Sequence, residues 1–498
     1  MGITQAIPPG GFFPLHDSKP TVLPEDLELL LREPGNHPSF DKLHGEAIAP
    51  GVQLMQDQVE EGFGVLYRDR EHAAEALGGQ VVPAPLGNIA KQKPDGSWKH
   101  RLIQDLRRNG VNESVQLHER QVLPRPVDHA RGVAKLCKSS KGADVTKVLV
   151  LDFKNAFMTM PLAAGERRFN CAEVPSGITR QRDAVEEGEA ESGTLVGWRV
   201  LGFGGKPNPL VYSRLASFLM RTAQALVGSP LQHRSHADEM AMCRGQLYVD
   251  DPIWVLRGSP EQCSASADII LMWWLALGVP LSWKKGTWTS ALAKHAWIGV
   301  EFEGQIGGPT IMTLPPDFVA ALLEDLRPLA SPQGTIGLKT AEKIVGRVGR
   351  VAQVIPEARP FAAAMWAALT AARRANDGGL SEAPPGMAAV RRFRPSARWM
   401  SMLLGEEDGA PFQLRRKVYP EGPRPASTSS WTIEFDASPW GGGAVLRHGE
   451  RCVESSFQVC AKYSTHLSPC RKTAPPPQGE ASNSTVREEV EAGRGSSG

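Results

Sequence analysis

The stretch GQLYVDDPIW, residues 245–254, sets Asp250 and Asp251 side by side between one apolar run and the next. Two readings of the pair compete. Asp-Asp-Pro is ordinary turn chemistry, because Asp bonds to nearby backbone N–H groups and Pro fixes φ. Alternatively, the two carboxylates bind a divalent cation whose charge relieves their repulsion. A third carboxylate, Asp152, ends the apolar run TKVLVLDF far upstream. Antiparallel strands lying side by side would bring Asp152 to Asp250, and paired carboxylates with free faces are what two Mg²⁺ ions about 3.5–4 Å apart require. The chemistry of such a site is phosphoryl transfer, with one ion lowering the pKa of an attacking hydroxyl and the other neutralising a leaving pyrophosphate.

The elements that must position these carboxylates are legible in the hydrophobic pattern. TKVLVLDF reads as a buried strand delivering Asp152 at its C-terminal end. NPLVYSRLASFLMRTAQAL, 208–226, has helical spacing with Pro209 near its start, and GQLYVDDPIWVL reads as strand, turn, strand. PEQCSASADIILMWWLALG forms a second helix that stops at Gly278. Upstream, Asp95-Gly96 marks a hairpin between two polar strands. Residues 316–375 are helical, with Ile344, Val345, Val348 and Val351 on one face and Lys339, Lys343, Arg347 and Arg350 on another. The acidic, aperiodic stretch 180–193 is expected to be a solvated inserted loop. The fold class is therefore α+β.

Composition excludes several classes. Lys and Arg total 56 against 54 Asp and Glu, so bulk charge says nothing about a polyanionic partner and only clusters can. Such clusters exist: twelve cations against five acids in residues 91–141, and seven against two in 339–374. Seven scattered cysteines without CxxC spacing indicate neither a disulfide framework nor a zinc site. His295 and His236 read as incidental, with no acid or Cys at ligand spacing. There is no signal peptide, and the longest apolar stretch, 269–281, is too short to span a bilayer. A soluble, intracellular protein, cytoplasmic or nuclear, is expected.

Over roughly residues 60–375 the chain resembles the reverse transcriptases of retroelements. Five segments carry the resemblance in order: VLDFKNAF, LGFGGKPNPLVY, YVDD, LGVPLSWKKGTW and HAWIGVEF. The resemblance implies a right-hand polymerase fold of fingers, palm and thumb, its antiparallel palm sheet packed on helices. It implies that Asp152 and Asp250 ligate two Mg²⁺ (or Mn²⁺) with help from the Phe153 carbonyl, and that Asp251 is a neighbouring carboxylate of less direct duty. Phe157 would lie under the sugar and select deoxynucleotides. Arg101 and Lys93 would meet the triphosphate, as guanidinium and ammonium groups suit phosphate oxygens, and Gly204 lies in the loop that holds the incoming nucleotide. Lys285 is the candidate proton donor to pyrophosphate, with Lys284 beside it as the alternative. Tyr248, Trp297, Gly299, Lys343, Arg347 and Arg350 fall where template and primer would be gripped. Tyr248 has the simpler reading of packing beneath the turn. Of the tryptophans at 273, 274, 283, 288 and 297, all read first as core, and only Trp297 inherits a primer contact. Leu201-Gly202 stands where the family usually has Leu-Pro, an exchange expected to loosen that loop.

WTIEFDASPWGGGAVL, from Trp431, resembles the opening strands of a retroelement ribonuclease H, with Asp436 as its first carboxylate. The remaining residues fall short of a typical domain of about 100–150, and Glu480, Glu488, Glu489 and Glu491 lack an apolar run to position them. A truncated segment without ribonuclease H activity is expected. The organisation implied is a poorly ordered leader (1–48), fingers and palm (49–315), a helical thumb (316–375), a linker (376–430), the ribonuclease H-like segment (431–460) and a disordered tail (461–498). The leading expectation is an RNA-directed DNA polymerase from a retrotransposon Pol polyprotein. It would act on an RNA template, a DNA or RNA primer and deoxynucleoside triphosphates, away from any membrane. The alternative is a decayed fragment that keeps the fold and binds nucleic acid without polymerising. A preference for DNA templates is a third reading.

Overall fold

The structure, a computed structural model, describes residues 10–27, 35–43, 48–93, 95–137, 144–174, 194–228, 242–331, 333–378, 383–405, 414–420, 431–438, 441–448 and 451–459. The chain divides into two compact units, Met1–Pro420 and Glu421–Gly498.

The first unit begins with β1 (Leu15–Ser18), α1 (Pro50–Glu60), β2 (Gly64–Tyr67) and α2 (Arg70–Leu77). The hairpin β3 (Leu86–Gln92) and β4 (Trp98–Gln104) turns at Gly96, φ 80°, where the sequence puts Asp-Gly. Then come β5 (Leu117–Glu119), α3 (Pro126–Leu136), β6 (Val145–Val150), β7 (Cys171–Glu173), β8 (Leu195–Trp198) and α4 (Asn208–Val227). The strand–turn–strand is β9 (Met242–Tyr248) and β10 (Asp251–Gly258), followed by α5 (Pro260–Ala276) and β11 (Thr287–Ser290). Ser259 and Gln262 close a capping box at the start of α5, and Gly278, φ 72°, follows its end.

These strands form the central antiparallel sheet, in the order β11-β6-β10-β9. Val150 lies opposite Ile253 on one side and Thr287 on the other, and Asp251 opposite Tyr248. Side chains alternate between the two faces. Val148, Ile253 and Val255 bury into one core, while Leu149, Trp254 and Leu256 bury into another with α4 and α5. Burial on both faces is why the strands read as continuous apolar runs.

Beyond the sheet lie β12 (His295–Trp297), β13 (Val300–Glu303), β14 (Thr310–Thr313), α6 (Pro316–Ala330), β15 (Thr335–Gly337), α7 (Leu338–Val354) and α8 (Arg359–Asp377). The apolar face expected on α7 is buried at Ile344, Val345, Val348 and Val351. Residues 376–430 differ from a linker: they hold β16 (Met387–Ala389), α9 (Arg394–Leu404) and β17 (Arg415–Val418). β17 completes a sheet of order β12-β13-β14-β17, and α9 packs on α6 and α8 through an inward face including Ala397, Met400 and Leu404. Among the described residues Gly378, Pro384, Pro385, Gly386 and Gly405 lie outside these elements, while Pro395 stands in the first turn of α9, where its missing N–H costs no bond.

Parts of the leader also differ from expectation. β1 pairs with β5, and Leu27 and Phe40 are fully buried. Glu119 at the end of β5 is buried, accepting from Gly11 N–H (2.7 Å) and from Arg214 of α4 (3.0 Å), which fastens the leader to the core. Trp274 and Trp297 are core residues as expected, but Trp283 and Trp288 are 58% and 41% exposed. Trp288 lies in the edge strand β11 and Trp283 just before it, at the open side of the sheet among the described residues. His295 is buried, its Nε2 3.0 Å from Nε2 of His129 on α3, and burial lowers the pKa of both. Cys137, Cys171, Cys243 and Cys263 are buried. Among the described residues no helix is long and apolar enough to cross a membrane.

In the second unit β18 (Trp431–Ser438), β19 (Gly441–His448) and β20 (Arg451–Val459) form an antiparallel sheet in sequential order, with Asp436 opposite Gly443. The stretch 180–193, His236, the residues 461–498 read as a disordered tail, and the tail glutamates lie outside the described residues.

Candidate active site

The β9–β10 connection turns through Val249 at φ 56°, a left-handed conformation unusual for a β-branched residue. It carries Asp250 and Asp251 to the end of the sheet where β6 delivers Asp152. Backbone bonds fix the approach: Leu151 N–H donates to Pro252 C=O (3.0 Å) and Phe153 N–H to Asp250 C=O (2.9 Å). On the other side of Asp152, Ser282 N–H donates to its carbonyl (2.8 Å) and Lys154 N–H to Pro280 C=O (2.8 Å). Beneath the turn, Trp297 Nε1–H donates to Asp251 C=O (2.9 Å). The pair is thus a turn, and the turn also faces the third carboxylate.

The electrostatics follow from that convergence. Burial, then the neighbouring Asp152, raises the pKa of Asp250. Burial, then Asp250 and Asp152, pushes Asp251 up to about 6. Lys285 sets its Nζ 2.7 Å from both carboxylate oxygens of Asp152. Tyr212 of α4 is buried beside the cluster, and burial followed by Asp250 and Asp152 raises its pKa. Three carboxylates and one ammonium leave negative charge uncompensated in a partly desolvated place. Hard oxygen donors in that state fit Mg²⁺ or Mn²⁺. Among the described residues no group of three or more His, Cys, Asp or Glu is spaced to hold a metal ion as it stands.

On the flank of the cluster, Phe157 is half-buried, its ring edge-on to Tyr212 (5.7 Å) and Phe203 (5.4 Å). The Arg101 guanidinium lies 4.7 Å over the Phe203 ring, so Phe203 joins the two residues that the resemblance assigns to sugar and triphosphate. Lys93 is exposed at the β3–β4 turn, where its N–H donates to Ser97 C=O (2.8 Å). Gly204 has φ 129°, and a Cβ there would overlap the Gln104 carbonyl oxygen. Gly202 is buried against the Gln104 side chain, and its carbonyl accepts from Asn208 Nδ2 (2.7 Å), so this Gly is held at both ends.

Of the residues expected to grip nucleic acid, Tyr248 is 36% exposed at the end of β9, whereas Trp297 is only 3% exposed. Trp297 supports the Asp251 carbonyl and offers little ring surface to a primer. Gly299, φ 77°, leaves room for the Arg350 guanidinium. Arg347 pairs with Asp325 of α6, which Lys343 also approaches at 3.5 Å, and Arg347 and Arg350 both lie over Phe318. Two of the four cations on this helix face are thus partly neutralised from α6. The sequence reading gives no role to Tyr212, Phe203, Gln104 or Asp325, although Phe203 and Tyr212 lie within LGFGGKPNPLVY; each acts through a neighbour distant in sequence.

No curated protein matches the chain. Among solved structures it is similar to a foamy viral protease-reverse transcriptase in complex with double-stranded DNA, with TM-score 0.47, 14% identity and coverage of 89% of this chain and 60% of that one. It is also similar to the foamy viral protease-reverse transcriptase in complex with RNA/DNA hybrid, with TM-score 0.43, 14% identity and coverage of 92% and 47%. The chain therefore spans about 60% and 47% of the length of these proteins. Residues 91–302, the segment holding Asp152, Asp250, Asp251, Phe157 and Lys285, match the family model described as reverse transcriptase (RNA-dependent DNA polymerase).

Proposed function

We propose that the protein is an RNA-directed DNA polymerase that extends a primer 3′-hydroxyl with deoxynucleotides on an RNA template. The observation that carries this reading is the convergence of Asp152, Asp250 and Asp251 at one end of an antiparallel sheet, inside the segment that matches the reverse transcriptase family model. The central sheet with α4 and α5 is the palm, the β3–β4 hairpin belongs to the fingers, and α6–α8 form the thumb. Asp152, Asp250 and Asp251, with the Phe153 carbonyl, would hold two Mg²⁺, which when bound lower the pKa of the primer hydroxyl and neutralise the leaving pyrophosphate. Arg101 and Lys93 bind triphosphate oxygens, and the Gly204 loop faces the incoming nucleotide. Phe157, braced by Tyr212 and Phe203, keeps its ring where a 2′-hydroxyl would otherwise sit. Lys285 donates a proton to pyrophosphate. The β18–β20 sheet, carrying Asp436, is a ribonuclease H-like segment without that activity, and the whole derives from a retroelement Pol polyprotein.

The test is Mg²⁺-dependent extension of oligo(dT) on poly(rA) by the wild type beside Asp250→Ala. Extension by the wild type alone supports the reading. If neither protein extends the primer with Mg²⁺ or Mn²⁺ although both bind the duplex, the reading is overturned.

A further inference from the structure

We propose that Lys285 is a place-holding cation: in the ion-free protein its ammonium occupies the Asp152 carboxylate, and a divalent ion binds there by displacing it. The inference rests on reading Asp152, Asp250 and Asp251 as an ion site, and it adds how that site is kept before an ion arrives. The Lys285 ammonium contacts both Asp152 oxygens at 2.7 Å, the positions an ion would need. A mobile cation thus stands where a fixed one belongs.

The surroundings make this an exchange rather than a permanent bridge. The backbone of the Lys285 loop is stitched to Asp152 by the Ser282 and Lys154 N–H bonds, by the bridge between Phe153 and Leu281, and by the turn from Lys285 N–H to Ser282 C=O (3.0 Å). The side chain is different: it is 56% exposed, against 15% for Asp152. The ammonium can therefore swing into water without moving the loop, while the loop keeps it within reach for return. With its ammonium half in water the pair is weaker than a fully buried one, so that a divalent ion outcompetes it, yet while it lasts it offsets part of the repulsion among three carboxylates. Displacement also frees the ammonium beside the site, where its assigned duty toward pyrophosphate requires it.

The test uses the full chain without nucleic acid. Mn²⁺ binding is followed by the paramagnetic resonance signal of free Mn²⁺ for the wild type, Lys285→Met, Lys285→Arg, Lys284→Met and Asp152→Asn. Separately, acylation of Lys285 and Lys284 by a neutral amine reagent is read by mass spectrometry with and without Mg²⁺. We expect Lys285→Met to bind Mn²⁺ about 2- to 5-fold tighter than wild type, with Lys285→Arg and Lys284→Met close to wild type. Lys285 acylation rises at least about twofold with Mg²⁺, while Lys284 acylation does not change. If Mn²⁺ binding needs Asp152 but Lys285→Met does not tighten it and Lys285 acylation ignores Mg²⁺, the place-holder is overturned and the ion site stands. If the wild type binds no Mn²⁺, or Asp152→Asn binds it equally well, the ion site itself falls, and this inference with it.

Discussion

Asp251→Asn should stabilise the ion-free protein at pH 8 and leave it nearly unchanged at pH 4. Burial first, then Asp250 and Asp152, pushes the Asp251 carboxyl from its ordinary value near 4 up to about 6. Between those values the native state holds a proton that the unfolded chain has released. Stability contributed by the neutral carboxyl is fully present below about pH 4 and is lost as pH rises through about 6. At about 1.4 kcal/mol per pH unit the full effect is about 3 kcal/mol. The group is partly exposed and its charged neighbours are screened by solvent and salt, which brings the expectation to about 1–2 kcal/mol. Asn keeps the shape and cannot ionise, so it recovers that amount progressively between about pH 4 and 6 and in full above about 6. The assay is thermal denaturation of both proteins in EDTA at pH 4 and pH 8. A domain of 150–250 residues moves about 2–4 °C per kcal/mol and a larger one less, so Asn should raise the midpoint by about 2 °C at pH 8. Added Mg²⁺ should narrow the gap by stabilising the wild type. An equal shift at both pH values, or a less stable Asn variant at pH 8, would refute the account of crowded carboxylates.

Four other substitutions probe the supports of the site. Trp297→Phe removes the donor to the Asp251 carbonyl and should cost about 1 kcal/mol in denaturant unfolding, with a lower extension rate and an unchanged duplex affinity. Gly204→Ala adds a Cβ at positive φ against the Gln104 carbonyl; it should cost about 1–3 kcal/mol and raise the KM for nucleotide more than it lowers kcat. Arg214→Ala leaves the Glu119 carboxylate buried and should cost about 3–5 kcal/mol, read as early proteolysis of the leader around Gly11. Phe157→Ala should lower the preference for deoxynucleotides over ribonucleotides by about tenfold or more, measured as a ratio of kcat/KM values.

The carboxylates were legible because each sits at the end of an apolar run that could only be a buried strand, and a turn dipeptide separated two such runs. The α+β order, α4, α5 and the β3–β4 hairpin followed from the same local signals: periodicity, Pro209, Gly278 and Asp95-Gly96. What stayed hidden depends on neighbours remote in sequence. Nothing near residue 297 says that its indole will reach under residue 251, and nothing near residue 325 says that its carboxylate will occupy cations on α7. His295 looks incidental in the sequence and becomes half of a buried pair with His129 only when α3 packs on the sheet that holds β12. The segment 376–430 misled because its turns are rich in Pro and Gly, whereas α9 is short and its apolar positions acquire meaning only against α6. The same logic bears on the site's own charge. Sequence places three acids together and so predicts repulsion, but whether that repulsion is met by an ion, a proton or a lysine depends on geometry. Two of those answers are available in the fold: Lys285 pairs with Asp152, and crowding raises the Asp251 pKa to about 6, so that a proton is held there in mildly acidic solution. Both are reversible, as the proposed ion site requires.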